Sequence, residues 1–314
     1  MPLHPFIEAL LKQLAGRPAF SDGSPDDARA LVAAGRAAIG PGPAMLAVRD
    51  LAVPGRAGGV PVRLFMPTES PSGVIVYLHG GGWVVGALDD FDTLARTLAA
   101  ESGCAVVLVD YRLAPEHPFP AGLEDGEDVL RWVARQGEAT FGAPLPIVVA
   151  GDSAGANLAA VAARRLRGEV EIVLQGLVYP VADSDFTTAS YERHGEGLTL
   201  TRADMAWFFR HYAPPALWSS PDISPLRAPD LSGLPPALVV VAEYDVLADE
   251  GAAYAARLRE AGVVVTERHV AGATHGFIRL HTLFDVARAE VEALARAAAE
   301  ACAADRTRSA TGAE

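Results

Sequence analysis

The run Pro146-Ile147-Val148-Val149-Ala150-Gly151-Asp152-Ser153-Ala154-Gly155 joins an apolar stretch to a serine with a glycine two positions away on each side, and an alanine-rich helical pattern follows over residues 154–167. The apolar stretch is short, β-branched and bounded by proline and glycine, which reads as a buried strand. A serine at a strand-to-helix corner must take a cramped backbone conformation, and small residues at 151 and 155 let strand and helix approach closely enough to make it. The hydroxyl then stands clear of the sheet, where the unpaired N–H groups and positive dipole end of the following helix favour negative charge. The same short pattern also describes an ordinary helix N-cap serine. Strand before and helix behind favour a nucleophile, Ser153.

Working outward, residues 74–78, 105–109, 147–150 and 172–178 are continuous apolar runs, alternating with helical patterns over 91–102, 123–136 and 154–167. Strands buried on both faces read this way, so the fold class is α/β, a mostly parallel sheet flanked by helices. Upstream, 44–53 and 59–67 are extended runs on either side of Pro54-Gly55, an antiparallel hairpin pattern. Two amphipathic helices, over 6–14 and 26–39, precede every strand and so lie outside the central sheet. After Tyr179-Pro180 the alternation stops for roughly fifty residues, longer than a usual connection. This insert holds a capping box, Thr201 with Asp204, and an aromatic stripe of Met205, Phe208, Phe209 and Tyr212 with Trp207 beside it. We read the insert as a lid, with most of its stripe packing it onto the body. Strand 236–242, helix 248–261, strand 263–270 and helix 283–303 follow, and 305–314 reads as a frayed tail.

The chain has 314 residues, half of them hydrophobic, and a formal charge of -13. That is core enough for one large domain, and the charge argues against a nucleic-acid partner, which needs clustered cations. The basic cluster Arg164-Arg165-Leu166-Arg167 falls at a helix C-terminus, where cations are favoured anyway. Two cysteines, Cys104 and Cys302, make neither a disulfide framework nor a zinc site. The N-terminus lacks a basic leader, and no run of roughly twenty apolar residues is present to span a bilayer. A soluble, cytoplasmic protein is expected.

A serine hydroxyl needs a general base, and the base needs a carboxylate to fix its tautomer. In this architecture both follow the serine, acid first. Of the eight histidines, His269, His275 and His281 lie late enough. His269 lies within an extended run and His281 at the start of the last helix, whereas His275 is in a loop directly after the last strand. Asp245 follows strand 236–242; Asp249 and Glu250 are a turn further on and read as acids at a helix N-terminus. The expected set is therefore Ser153, Asp245 and His275, with Asp152 structural. A developing oxyanion needs backbone donors already in place, and His79-Gly80-Gly81-Gly82-Trp83 after strand 74–78 supplies an unobstructed glycine loop. The amides of Gly81, Gly82 and Ala154 are the expected oxyanion hole, with His79 shaping the loop. Phosphate-loop spacing and its lysine are missing.

Five segments, His79-Gly80-Gly81-Gly82-Trp83, Asp110-Tyr111-Arg112-Leu113-Ala114-Pro115-Glu116, Gly151-Asp152-Ser153-Ala154-Gly155, Tyr244-Asp245-Val246-Leu247-Ala248-Asp249-Glu250 and His275-Gly276-Phe277, stand in the order found in one family. Together they resemble the hormone-sensitive lipase family (bacterial family IV) of carboxylesterases, with the α/β-hydrolase fold, from about residue 40 to the end. The resemblance implies hydrolysis of short-chain carboxylic esters, no metal and no organic cofactor. It also implies a cap made of residues 1–42 and the insert 183–218, on a catalytic domain of 43–182 and 219–304. Asp110, Tyr111, Arg112 and Glu116 are structural in this reading. Val246 stands where the family usually has proline, which bears on loop rigidity rather than on the acid. The family often pairs through the edge strand near 263–270, so a homodimer is a further expectation. Two alternatives share the scaffold: an amidase using the same residues, and a small-molecule receptor, the fate of some plant relatives, which tend to lose the base.

Overall fold

The apolar runs form the centre of a mixed eight-stranded sheet in the computed structural model, which describes residues 2–311. Its strands are β1 (Ala47–Gly55), β2 (Gly58–Met66), β3 (Val74–Leu78), β4 (Ala105–Val109), β5 (Ile147–Asp152), β6 (Ile172–Val178), β7 (Ala237–Tyr244) and β8 (Val265–Thr274). They lie in the order β1-β2-β4-β3-β5-β6-β7-β8. β2 runs antiparallel to both neighbours, and all later pairings are parallel. The chain moves from β3 to β4 on one side and then to β5 on the other. The crevice at the carboxyl ends of β3 and β5 is thus the switch point where an open α/β sheet receives its ligand.

The helices are α1 (Pro5–Leu14), α2 (Pro25–Ala34), α3 (Arg36–Ile39), α4 (Leu88–Ser102), α5 (Ala121–Phe141), α6 (Ala154–Arg165), α7 (Ala189–His194), α8 (Arg202–Tyr212), α9 (Ala248–Glu260) and α10 (Asp285–Thr311). Alternation along each strand divides the core in two. Val74, Val76 and Leu78 of β3 pack with α5, α6 and α9. Ile75 and Tyr77 pack with α4 and α10 on the other face. β3 and β4 are buried throughout, which is why they read as unbroken apolar runs rather than alternating ones. β8 closes one edge, and Val264 just before it is 72% exposed.

The N-terminal segment and the insert touch each other, with the Phe20 and Phe208 rings 5.4 Å apart. The capping box predicted at α8 forms: Thr201 Oγ1 accepts from Asp204 N and Asp204 Oδ2 accepts from Thr201 N, both at 3.1 Å. The second carboxylate oxygen of Asp204 accepts from Ser21 N at 2.9 Å, so one side chain caps a helix and ties the insert to the N-terminal segment. Arg29 of α2 is held bidentately by Glu116, at 2.8 and 2.6 Å, and donates to Val84 O at 3.0 Å.

Several boundaries differ from expectation. The expected helix 26–39 breaks at Gly35 into α2 and α3. The last strand spans Val265–Thr274 rather than 263–270, with a register irregularity between Ala242 and Tyr244 in its partner, so His275 is the first residue beyond it. The tail read at 305–314 is helical as far as Thr311, held by Thr307 Oγ1 donating to Ala303 O at 3.0 Å and by the Arg308–Asp305 pair at 2.8 Å; 312–314 lie outside the described residues. Cys104 and Cys302 are both buried and free, with sulfurs 4.0 Å apart. Among the described residues no helix is long and apolar enough to cross a membrane.

Candidate active site

Ser153 stands between β5 and α6 with φ 55° and ψ -121°, a left-handed conformation that a non-glycine residue adopts only under compulsion. The compulsion comes from the two glycines. A Cβ at Gly155 would run into the carbonyl oxygen of Leu78, and one at Gly151 would lie 2.5 Å from that oxygen and from the Gly155 carbonyl carbon. Any side chain at either position would prise β5 and α6 off β3. The motif is thus a statement about clearance as much as about the serine.

His275 Nε2 lies 2.9 Å from Ser153 Oγ, and His275 Nδ1 lies 2.7 Å from Asp245 Oδ2. The other oxygen of Asp245 accepts from Leu247 N at 2.9 Å, and the residue is 1% exposed. A carboxylate can only accept, so the ring proton is on Nδ1 and Nε2 is left as an acceptor for the serine hydroxyl. The Tyr179 ring, with φ 36°, lies against the imidazole at 4.5 Å. The two rejected histidines are elsewhere: His281 is buried against Thr97 Oγ1 at 3.0 Å, and His269 bonds Glu267 at 2.7 Å on the surface.

The glycine loop after β3 lies beside Ser153. Val84 N and Val85 N donate to Gly81 O, which closes the loop into a turn. Gly81 and Gly82 have φ 125° and 57°. Among the described residues neither gives its N–H to a main-chain carbonyl. Ala154 is the first residue of α6, whose leading N–H groups have no intrahelical partner. His79 is buried, its Nδ1 2.8 Å from Gly80 O and its ring stacked on Tyr111 at 4.4 Å. Burial pulls its pKa down to about 4, so it is neutral at pH 7. Asp152 accepts from Gly80 N at 2.9 Å and from Tyr77 Oη at 3.0 Å, tying the serine corner to the glycine loop. Burial raises its pKa above the usual carboxylate value.

The cover is aromatic. Trp83 stacks on Tyr212 at 4.2 Å and meets Phe209 edge-on at 5.2 Å. The Phe208 ring occupies the space that a Cβ at Gly82 would need. The predicted stripe therefore does pack the insert onto the body, and its contact point is the glycine loop. Asp249 and Glu250 stand in the first turn of α9, as read from the sequence, and they do more than that. Asp249 Oδ2 accepts from Ser190 N at 2.7 Å, and Glu250 Oε1 accepts from Ala182 N at 2.8 Å and Asp183 N at 3.2 Å, so both reach into the insert. Glu250 is buried, which pushes its pKa well up.

A serine, a histidine and a buried carboxylate hydrogen-bonded in series at the switch point, next to a glycine turn, form an arrangement suited to an acyl-transfer hydrolase. Residues 75–279 match a family model described as the alpha/beta hydrolase fold. The chain belongs to the α/β-hydrolase-fold family. Among curated relatives this α/β hydrolase is 42% identical over 257 residues to the carboxylic ester hydrolase LipN of Mycobacterium tuberculosis, covering 77% of this chain and 68% of the relative. It is 39% identical over 249 residues to an ethyl acetate hydrolase of Pseudomonas putida, covering 76% and 78%. Of solved structures, the hyperthermophilic esterase of the archaeon Pyrobaculum calidifontis superposes with a TM-score of 0.90 at 39% identity, covering 96% of this chain and 99% of the other. A thermostable esterase of Pseudomonas putida gives 0.91 at 32% identity, covering 96% and 98%. The α/β hydrolase thus groups with the carboxylic ester hydrolases of the hormone-sensitive lipase type that its five motifs resemble.

Sequence reasoning overlooked Tyr179, Ser190 and Thr199. An aromatic at the carboxyl end of a central strand could have drawn attention to Tyr179. Nothing local marks the other two, whose partners are more than fifty positions away.

Proposed function

We propose that this esterase hydrolyses short-chain carboxylic esters through an acyl-enzyme on Ser153, with His275 as general base and Asp245 as the group that orients it. The observation that carries the reading is the unbroken chain from Ser153 Oγ through His275 to Asp245, at 2.9 and 2.7 Å. Ser153 Oγ attacks the ester carbonyl as its proton passes to His275 Nε2. The amides of Gly81, Gly82 and Ala154 receive the oxyanion. His275 then protonates the departing alcohol, and water repeats the sequence on the acyl-enzyme. The neutral charge of His79 suits this task, because a cation there would be one more buried charge beside the forming oxyanion's loop. A short acyl group is supported by Phe208, which sits directly over Gly82, and by the ethyl acetate hydrolase among the relatives. Residues 1–42 and 183–218 form the cap in this reading. The exposed edge at β8 supports the pairing of two copies, which sedimentation velocity would detect.

The test is hydrolysis of p-nitrophenyl esters from acetate to laurate, together with mass spectrometry after treatment with diethyl p-nitrophenyl phosphate. Turnover falling steeply with chain length and a diethylphosphoryl group on the Ser153 peptide are expected. A Ser153→Ala variant with near wild-type turnover, or a label on another residue, would overturn the assignment.

A further inference from the structure

The acid and the base stand on neighbouring strands, yet the sheet does not hold them together. Pairing of β7 with β8 ends at Tyr244 and Thr274, one residue short of Asp245 and His275. Below that point Gly272 N donates to Glu243 Oε2 at 2.7 Å; above it the two loops leave the ladder. What bridges them there is the insert. Thr199 Oγ1 donates to the carbonyl oxygen of His275 itself at 2.8 Å. Ser190 Oγ donates at 2.6 Å to the carbonyl of Val246, the residue after the acid, and Ser190 N is held by Asp249. Ser190 is fully buried, and the stretch before it is anchored by Glu250.

We propose that this part of the insert is a strap setting the base against the acid, with Thr199 and Ser190 as positioning residues; the inference rests on the triad assignment above. A carbonyl cannot turn without turning its peptide plane, and the peptide plane at 275 sets the direction in which the imidazole leaves the backbone. An imidazole shared between Oγ and a carboxylate tolerates roughly half an ångström of misplacement. Two short side chains, each bonded to the main chain of one loop and joined through the same segment, supply that tolerance where the sheet no longer can. The strap also makes the cover and the chemistry one mechanical unit: a movement of α8 that draws residue 199 away releases the carbonyl of the base.

The rate at which Ser153 is phosphorylated by diethyl p-nitrophenyl phosphate reads this directly. The Ser153 O–P bond forms, p-nitrophenolate leaves, the serine proton goes to His275, and deacylation plays no part. Thr199→Val keeps the shape and removes the donor. It should slow labelling and the kcat for p-nitrophenyl acetate by about tenfold, with KM changed by less than about twofold. Thr199→Ser restores the donor and should bring both rates back to within about twofold of wild type. Thr187→Val, whose hydroxyl bonds to Asp185 within the insert, serves as the control. Ser190→Ala should act in the same direction from the acid side, and it carries the test if Thr199→Val does not fold. Labelling of the Thr199 or Ser190 variant at the wild-type rate, or a serine variant as slow as the valine one, would overturn the strap. Absence of label on wild-type Ser153 would instead overturn the triad assignment beneath it.

Discussion

The two sides of Ser153 are built by different physics. On the side of the proposed oxyanion hole, the glycine loop is fixed by shape: Trp83 lies flat on Tyr212, Phe208 fills the space over Gly82, and the His79 ring is stacked between Tyr111 and Phe91. On the other side the bonds are directional: Leu247 N donates to Asp245, Thr199 to the carbonyl of His275, and Ser190 to the carbonyl of Val246 next to the acid. The difference follows from what each side must do. Backbone amides need only stand still, and close packing of apolar rings against a side-chain-free backbone achieves that. An imidazole must stand still, keep one tautomer and pass a proton, which takes partners that distinguish donor from acceptor.

The contrast can be broken from either side. The largest effect is expected on the directional side, where Asp245→Asn preserves shape and inverts a donor-acceptor pattern. Turnover should fall by about 10⁴, as when the equivalent aspartate of a serine protease is neutralised. Asp249→Asn keeps an acceptor for Ser190 N and should cost far less; the reverse ranking in steady-state assays would mean that the acid is Asp249. On the shape side, Gly82→Ala should lower kcat by about 10² to 10³, the loss seen when one oxyanion donor is removed. Adding Phe208→Ala should recover part of that loss by clearing the ring, but not the part due to a φ of 57° at residue 82. A double-mutant cycle on kcat with no coupling would show that the ring does not hold the loop.

The smallest effect is one of stability. Because burial lowers the His79 pKa from 6.5 to about 4, the unfolded chain binds the proton first as pH falls. The stability tied to neutral His79 is therefore complete above pH 6.5 and is lost towards pH 4, by about 3 kcal/mol. Asp152 and Glu250, raised by burial, slope the opposite way: they favour the folded state as pH falls and give that up as it rises past the ordinary carboxylate value. The raw pH profile sums these, so the difference between wild type and His79→Asn in urea midpoints isolates the histidine. Parallel profiles from pH 7 to 4.5 would show that His79 is not held neutral.

What the sequence discloses divides along a related line. The central strands are legible because burial on both faces forces unbroken apolar runs. Ser153, Asp245 and His275 stand out because few residue types suit the roles proposed for them at the end of a strand. The clearance needed at Gly151 and Gly155 leaves a mark, since nothing but glycine fits. Boundaries fare worse: α5 runs through Gly137 to Phe141, and α10 continues to Thr311, because helix ends are set by local bonds that polar residues satisfy in many ways. The strap is not legible at all. A serine or threonine in a polar insert has no pattern, and its role exists only once residues 190 and 246, or 199 and 275, are neighbours. Asp249 and Glu250 show the same limit: their position at a helix start is readable, but their reach into the insert is not.

The attachment of the N-terminal segment carries a consequence for biosynthesis. Ser21 N binds Asp204, 183 positions later, and His4 N donates to Gly272 O at 3.0 Å. At translation rates of about 5–20 residues per second, the partner of Ser21 follows it off the ribosome by roughly 10 to 40 s. During that interval α2 can meet Val84 and Glu116, but α1 still lacks Gly272 and Phe284, and Ile7, fully buried at the end, is exposed to whatever binds apolar nascent chains. The seating of α1 thus waits on the same late segment that brings in His275.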